Sequence, residues 1–196
     1  MANPRPHTAQ PRQSKLVRTI CMVLIALIVL IGLTVLIIWL SLKPKKPRYS
    51  IENASISNLN IANNHLNGTF NFVIRAFNPN SKVSIYYDKV EVYVFYDKDK
   101  LAASAGQPFF QPHRYETNLD EKLVAQNVTL TGKVAKDLGL EKAAGNVELD
   151  VQMKAKVRFK YGSWKTGHRR LRVFCSPVFV QSSKKNSQTT DCHVSL

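Results

Sequence analysis

The residues that could carry chemistry in this chain are few, and most are cations. His65, His113, His168 and His193 lie beyond residue 42, and none falls in an HxxxH-type metal motif. Cys192-His193 alone is a poor start for a zinc site, which needs four ligands. No Gly-x-Ser-x-Gly elbow and no glycine-rich phosphate loop occurs. Asp97 and Asp99 are flanked by Lys98 and Lys100, with no calcium loop following, and read as a solvated hairpin turn. Catalysis needs converging groups of suitable pKa. No catalytic, cofactor-binding or metal-ligating residue is assigned, and the expectation is a protein that is not an enzyme.

Charge says more. Four of the 28 Lys and Arg residues precede residue 19; the other 24 face 13 acidic residues, a net charge of +11. Between Val151 and Arg172 stand Lys154, Lys156, Arg158, Lys160, Lys165, Arg169, Arg170 and Arg172, with no acid among them. The first four share one strand face. If the two segments pair as a hairpin, all eight gather into one candidate anion-binding patch. Solvating a sheet face or blocking a strand edge also uses lysine, but neither job requires a single sign.

These cations must be placed by elements that the sequence also shows. Thr19 to Leu42 holds no charged residue. As a helix it rises about 36 Å, enough for a hydrocarbon core of roughly 30 Å. It is too long for a signal-peptide core and lacks a small-x-small cleavage pattern, so it reads as an uncleaved signal-anchor. Trp39 suits an interfacial position. Gly32 has no GxxxG partner, so helix dimerisation is not signalled. Thr34 and Ser41 are expected to return their hydroxyls to the helix backbone. Residues 1–18, with Pro4, Pro6 and Pro11, are expected to be a disordered tail too short for a signalling domain. Residues 43–48 form a basic stalk whose ammonium groups would meet lipid phosphates.

Flanking charge does not orient the anchor, because Arg5, Arg12, Lys15 and Arg18 balance Lys43, Lys45, Lys46 and Arg48. Three Asn-x-Ser/Thr acceptors, at Asn53, Asn67 and Asn127, all lie beyond it. Cys21 lies inside the anchor and reads as apolar filler. Cys175 and Cys192 are the only cysteines outside it, a pair that suits an oxidising compartment. A bridge would close about 17 residues, worth about 3 kcal/mol in the chain-entropy picture. Unrelated thiols are the alternative. The expected topology puts the N-terminus in the cytosol and the C-terminal domain outside. There nucleic acid is not the expected anion; acidic polysaccharide, anionic lipid or an acidic protein fits better.

Residues 49–180 read as one all-β domain. In Val147–Tyr161 every odd position is apolar and every even one polar or charged, as in an antiparallel sheet with one dry face. Phe70 to Ala76 alternates likewise and stops at Asn78-Pro79-Asn80. Further strands are expected over 49–61, from Val83 and Ile85 and continuing on a common face with Val90, Val92, Val94 and Tyr96 after Tyr86-Tyr87-Asp88, from Leu101, over 123–130, and from Leu171 with a bulge or bend at Pro177. Val134–Ala144 is the one short helix expected, with Gly145 at its end. About seven strands argue for a β-sandwich, and a barrel would accommodate them too. Residues 181–196 form a polar tail.

Asn78-Pro79-Asn80, Ile85-Tyr86-Tyr87-Asp88, Pro108-Phe109-Phe110-Gln111, His113, Thr117 and the late Cys175 follow one another behind a short N-terminal anchor. In this the chain resembles the plant NDR1/HIN1-like family, of the late-embryogenesis-abundant type 2 domain group. The resemblance implies a plasma-membrane protein with an immunoglobulin-like or fibronectin-like β-sandwich in the apoplast. It implies a role in pathogen resistance, hypersensitive cell death, senescence or abiotic stress, with no catalytic residues. On this template Asn78 and Asn80 fix their loop, Tyr86 and Tyr87 point to opposite faces, and Asp88 bonds within the turn before Val90. The polar C-terminus lacks the hydrophobic segment that a glycolipid anchor requires. The leading expectation is a single-pass accessory protein in defence or stress signalling, binding the bilayer and a protein or acidic wall partner. The alternative is a stress-protection or wall–membrane tether without signalling. A cytoplasmic lipid-contact protein with free thiols is a third.

Overall fold

A computed structural model describes residues 13–42, 45–181 and 189–196. Residues 1–12, the stalk residues Lys43 and Pro44, residues 182–188 and the side chains of Trp39 and Ser41 lie outside the described set. The chain divides into two units, Met1–Lys43 and Pro44–Leu196.

Among the described residues of the first unit there is one helix, α1 (Gln13–Leu42). It starts six residues ahead of Thr19, inside the segment expected to be disordered. Helix extension is cheap once nucleated, and Lys15, Leu16 and Arg18 are good helix formers. Thr34 donates its hydroxyl to the Ile31 carbonyl at 2.7 Å, and Thr19 donates to Lys15 at 3.0 Å. α1 is long and apolar enough to cross a membrane.

The described residues of the second unit form two antiparallel sheets and one helix. Its strands are β1 (Arg48–Ala62), β2 (His65–Phe77), β3 (Val83–Tyr96), β4 (Asp99–Gly106), β5 (Phe109–Gln111), β6 (Glu116–Thr129), β7 (Asn146–Tyr161), β8 (Trp164–Lys165), β9 (Arg169–Gln181), β10 (Thr190–Asp191) and β11 (His193–Ser195). The four-stranded sheet has the order β10-β1-β2-β6. The seven-stranded sheet has the order β11-β9-β7-β3-β4, with β5 on β3 and β8 on β7. The strands form two separately bonded sheets around one apolar core, a sandwich rather than a closed barrel.

Sequence explains the local geometry. β7 keeps its period of two throughout: Val147, Leu149, Val151, Met153, Ala155, Val157 and Phe159 are all buried. In β3 the buried set changes parity, from Val83, Ile85 and Tyr87 to Val90, Val92 and Val94. A bulge between Tyr87 and Lys89 absorbs the extra residue. In β9 a register shift at Ser176-Pro177 does the same, since proline cannot donate to the ladder. Asp97 and Lys98 both take positive φ, 49° and 93°, so β3 and β4 are joined by a two-residue turn. α2 (Gly132–Ala144) begins where the Thr131 hydroxyl accepts the Val134 N–H and ends at Gly145, φ 77°.

The polar tail does more than the sequence suggests. Residues 190–191 pair with Ser50 and Ile51 of β1, and residues 193–195 pair with Arg172 to Phe174 of β9. Cys192 sits between these pairings and is bonded to Cys175 of β9. Backbone hydrogen bonds and one covalent bridge recruit this segment, which is why its polar side chains give no sign of it.

Candidate functional site

The antiparallel register of β3, β7 and β9 decides which cations meet. Lys156 stands opposite Arg170 on one side and Lys89 on the other. Lys154 stands opposite Arg172 and Glu91. Directly opposed residues lie about 5 Å apart at Cα. Lys89, Lys156 and Arg170 therefore form a row of three cations across three adjacent strands, and like charges so placed destabilise a sheet. The rows open into a surface groove of ≈ 530 Å³, lined by six Lys or Arg residues, His168 and a single carboxylate, Glu91.

Of the eight cations read from the sequence, the structure brings Lys154, Lys156, Arg170 and Arg172 onto this face, all exposed. Arg169 starts β9 opposite inward-facing Val157 and lines the groove's rim. Lys160 and Lys165 pair across the β7–β8 hairpin, away from the rows. Arg158 is already engaged. Its Nε donates to Asp88 Oδ2 at 2.8 Å and its Nη2 to Oδ1 at 2.5 Å. Asp88 thus reaches across to β7 instead of bonding within its own turn, because the bulge turns it toward Arg158. The Arg158 hydrogen bonds hold the Asp88 carboxyl below the usual carboxylate range; desolvation opposes this, and the charges of Arg158, His168 and Lys156 assist it. His168 Nε2 lies 3.4 Å from Asp88 Oδ2.

Three features of the face escaped the sequence. Lys89 joins it because the bulge restores its outward direction, and the parity change in β3 was the available signal. Glu91 takes up Lys89 at 2.7 Å and accepts from the Tyr93 hydroxyl at 3.1 Å; both contacts hold its carboxyl below the usual range. Aromatic rings also line the face. Lys154 Nζ sits 4.8 Å from the Tyr93 centroid and Lys165 Nζ 4.5 Å from that of Tyr86, which packs on Phe110 at 4.6 Å. Such contacts keep long cationic side chains ordered and outward.

The motif residues sit elsewhere, in a buried polar network. Asn78 Nδ2 donates to the carbonyls of Val83 and Pro112, and Asn78 Oδ1 accepts from the Asn80 backbone and side chain. Asn80 takes the Lys45 N–H at 2.7 Å and donates to its carbonyl at 2.9 Å. Pro79 separates these two asparagines and Asn78 is fully buried. Gln111 donates to Ala76 and Tyr115 carbonyls and accepts from the Tyr87 hydroxyl, which also shares a 2.5 Å hydrogen bond with that of Tyr49. Burial raises the pKa of both tyrosines. Tyr87 stacks on Phe109 inside, and Tyr86 lies outside. This network builds the fold and offers no open site.

The three sequons differ. Asn67 and Asn127 are exposed and adjacent: the Asn127 N–H donates to Asn67 Oδ1 at 2.8 Å. Asn53 is half-buried in mid-strand, opposite Val73.

The family described as late embryogenesis abundant protein matches residues 73–176. An uncharacterised protein of Arabidopsis thaliana is 34% identical over 86% of this chain and 77% of its own length. NDR1/HIN1-like protein 3 of the same plant is 32% identical over 88% of this chain and 78% of its own length. NDR1/HIN1-like protein 12, also from that plant, is 31% identical over 85% and 80% respectively.

Proposed function

This chain belongs to the late embryogenesis abundant protein family, among its NDR1/HIN1-like members, and on that premise we propose a membrane-anchored plant defence or stress protein that binds an acidic partner outside the cell. In this reading α1 is an uncleaved single-pass anchor in the plasma membrane, with the N-terminus cytosolic. The bonded Cys175 and Cys192 support an oxidising compartment for the β-domain. The immunoglobulin/fibronectin class of sandwich is part of the same reading.

One observation carries the binding proposal: the row Lys89, Lys156 and Arg170, repeated in part by Lys154 and Arg172. A sheet face needs solvating groups, but opposed like charges cost stability that alternating charges would not. An anion lying across the strands removes that cost by bridging the cations. The cations repeat across the strands, so an acidic wall polysaccharide with repeated carboxylates fits this face better than a single small anion.

The test is binding of the full-length protein, reconstituted in nanodiscs, to polygalacturonate at low and high salt. Changing Lys154, Lys156, Arg170 and Arg172 together to Gln should weaken binding at least tenfold and flatten its salt dependence. Unchanged, salt-insensitive binding removes this face from the account.

A second reading, a wall–membrane tether with no signalling partner, draws support from Asn80, which holds both backbone groups of Lys45 where the chain joins the domain. Co-purification from challenged tissue separates the two. A stoichiometric protein partner favours signalling; retention by wall material alone favours tethering.

A further inference from the structure

The β-domain has two unlike ends. The chain joins it at Lys45, the third residue after Leu42 in sequence, and Asn80 fixes that junction. Strand register places three more segments at the same end. Lys82 lies in the turn between β2 and β3. The Arg114 N–H donates to the Asn80 carbonyl, and the Tyr115 carbonyl accepts from the Asn78 N–H, each at 3.0 Å. Val83 pairs with Tyr161, and Tyr161 with Trp164, which brings in the β7–β8 hairpin.

These segments present Lys82, Arg114, Tyr115, Trp164 and Lys165 to solvent. Trp164 is 65% exposed and Tyr115 54%. The opposite end, reached by following β3 to Tyr96 and β2 back to His65, carries Asp97, Asp99 and Glu141 interleaved with Lys98, Lys100, Lys136 and Lys142, with Asn67 and Asn127 nearby. Large exposed amphipathic rings with cations beside them are thus at one end, and mixed charges with two exposed sequons at the other.

Trp and Tyr favour the membrane–water interface, where the ring is half dry and its polar edge stays wet. Lys and Arg beside them favour phosphate, each contributing through charge and through a long stem that lies along apolar surface. A hairpin tip needs neither for its turn: Gly162, φ 53°, already supplies the backbone geometry. Trp164 touches Tyr161 along one side, with ring centroids 6.2 Å apart, and Lys165 lies over Tyr86, yet most of the indole faces solvent. Lys45, the first described residue of this unit, lies among these residues.

We propose that the Lys45 end of the β-domain is a docking surface for phosphate-bearing lipid headgroups, with Trp164 inserted at the interface and Lys82, Arg114 and Lys165 on the phosphates. This rests on the reading of α1 as a membrane anchor. It adjoins the Lys89–Lys156–Arg170 face, because Trp164, His168, Arg169 and Arg170 line one groove between them.

The sequence holds two tryptophans, Trp39 and Trp164, so each can be made the sole reporter. The W39F protein is reconstituted in vesicles of phosphatidylcholine with one third phosphatidylglycerol, using lipids brominated high on the acyl chain. Trp164 emission should shift to the blue and be quenched, and K82E/K165E in the same background should reduce that quenching at least twofold. Solvent-like, unquenched Trp164 overturns the proposal when Trp39, in the W164F protein, is quenched. If Trp39 also escapes quenching, the anchor premise falls and the docking surface with it. A blue shift of Trp164 produced by dissolved polygalacturonate, with no quenching by lipid, assigns this end to a polymer and overturns the proposal as well.

Discussion

On the outward face of the four-stranded sheet, Arg75 is shared by Glu52 and Glu116, at 3.5 and 2.5 Å, and Lys122 stands two residues from Asp120. Opposite charges alternate there, as solvation and stability both favour. On the outward face of the seven-stranded sheet, Lys89, Lys156 and Arg170 stand side by side, and Lys154 faces Arg172. Glu91 and Asp88 hold Lys89 and Arg158, Glu91 also faces Lys154, and among the described residues no ion pair takes up Lys156, Arg170 or Arg172. Both faces come from one chain and cover one core, so folding alone gives no reason for the difference. The balanced face shows what solvation needs; the excess on the other is what the proposed anion binding would use.

The comparison requires that the two sheets stay clamped together, and the C-terminal segment is one clamp. β10 adds to the four-stranded sheet and β11 to the seven-stranded one, with Cys192 between them bonded to Cys175. Replacing both cysteines by serine should have the largest effect among the variants considered for stability, about 3 kcal/mol in chemical denaturation followed by near-UV circular dichroism. Amide exchange should rise in residues 190–195 and in the β1 and β9 residues they pair with. Unaltered exchange there would show that backbone pairing alone fastens the sheets.

How much of this was legible in the sequence depended on where each signal lies. β7 could be read residue by residue, because its alternation is unbroken and its outward side is charged. The end of α2 followed from Gly145, which acts locally, whereas its start lies two residues ahead of the expected Val134, where Thr131 caps it. The cationic patch was legible as composition but not as geometry. Arg158 looked like its neighbours Lys156 and Lys160, yet its partner Asp88 is 70 residues away and is aimed by a bulge. Lys89 joined for the same reason. The closing segment was illegible because its contribution is made by backbone groups, which every residue has.

Asp88 gives the intermediate effect and tests whether the acids on the cationic face are structural. Its carboxyl pKa is lowered chiefly by the hydrogen bonds from Arg158. A lowered pKa means that the ionised form is favoured by folding. The stability it contributes is present above the ordinary aspartate pKa and is lost as pH falls through the depressed one. Asp88→Asn should therefore lower Tm by about 3 °C at neutral pH, with the gap to the parent closing on acidification below about pH 4. A gap that persists unchanged in acid would mean that Asp88 acts through packing. Freed Arg158 would then join the neighbouring cations, and salt-sensitive anion binding should strengthen.

The smallest stability effect has the opposite sign and cuts closest to the comparison. Lys156→Glu places a carboxylate between Lys89 and Arg170, giving this face the alternation seen on the other sheet. If the row exists at a cost, Tm should rise by about 1–2 °C, the cross-strand repulsion being replaced by two attractive pairs. Binding to polygalacturonate should fall at the same time, by roughly tenfold at low ionic strength. A stability gain coupled to a binding loss is the pattern expected where a surface is held away from its stability optimum by function. Lys122→Glu on the balanced face is the matching control, and it should leave binding unchanged. If Lys156→Glu lowers Tm, or raises it without weakening binding, the cations of this face are ordinary solvation and the contrast between the two sheets has no functional content.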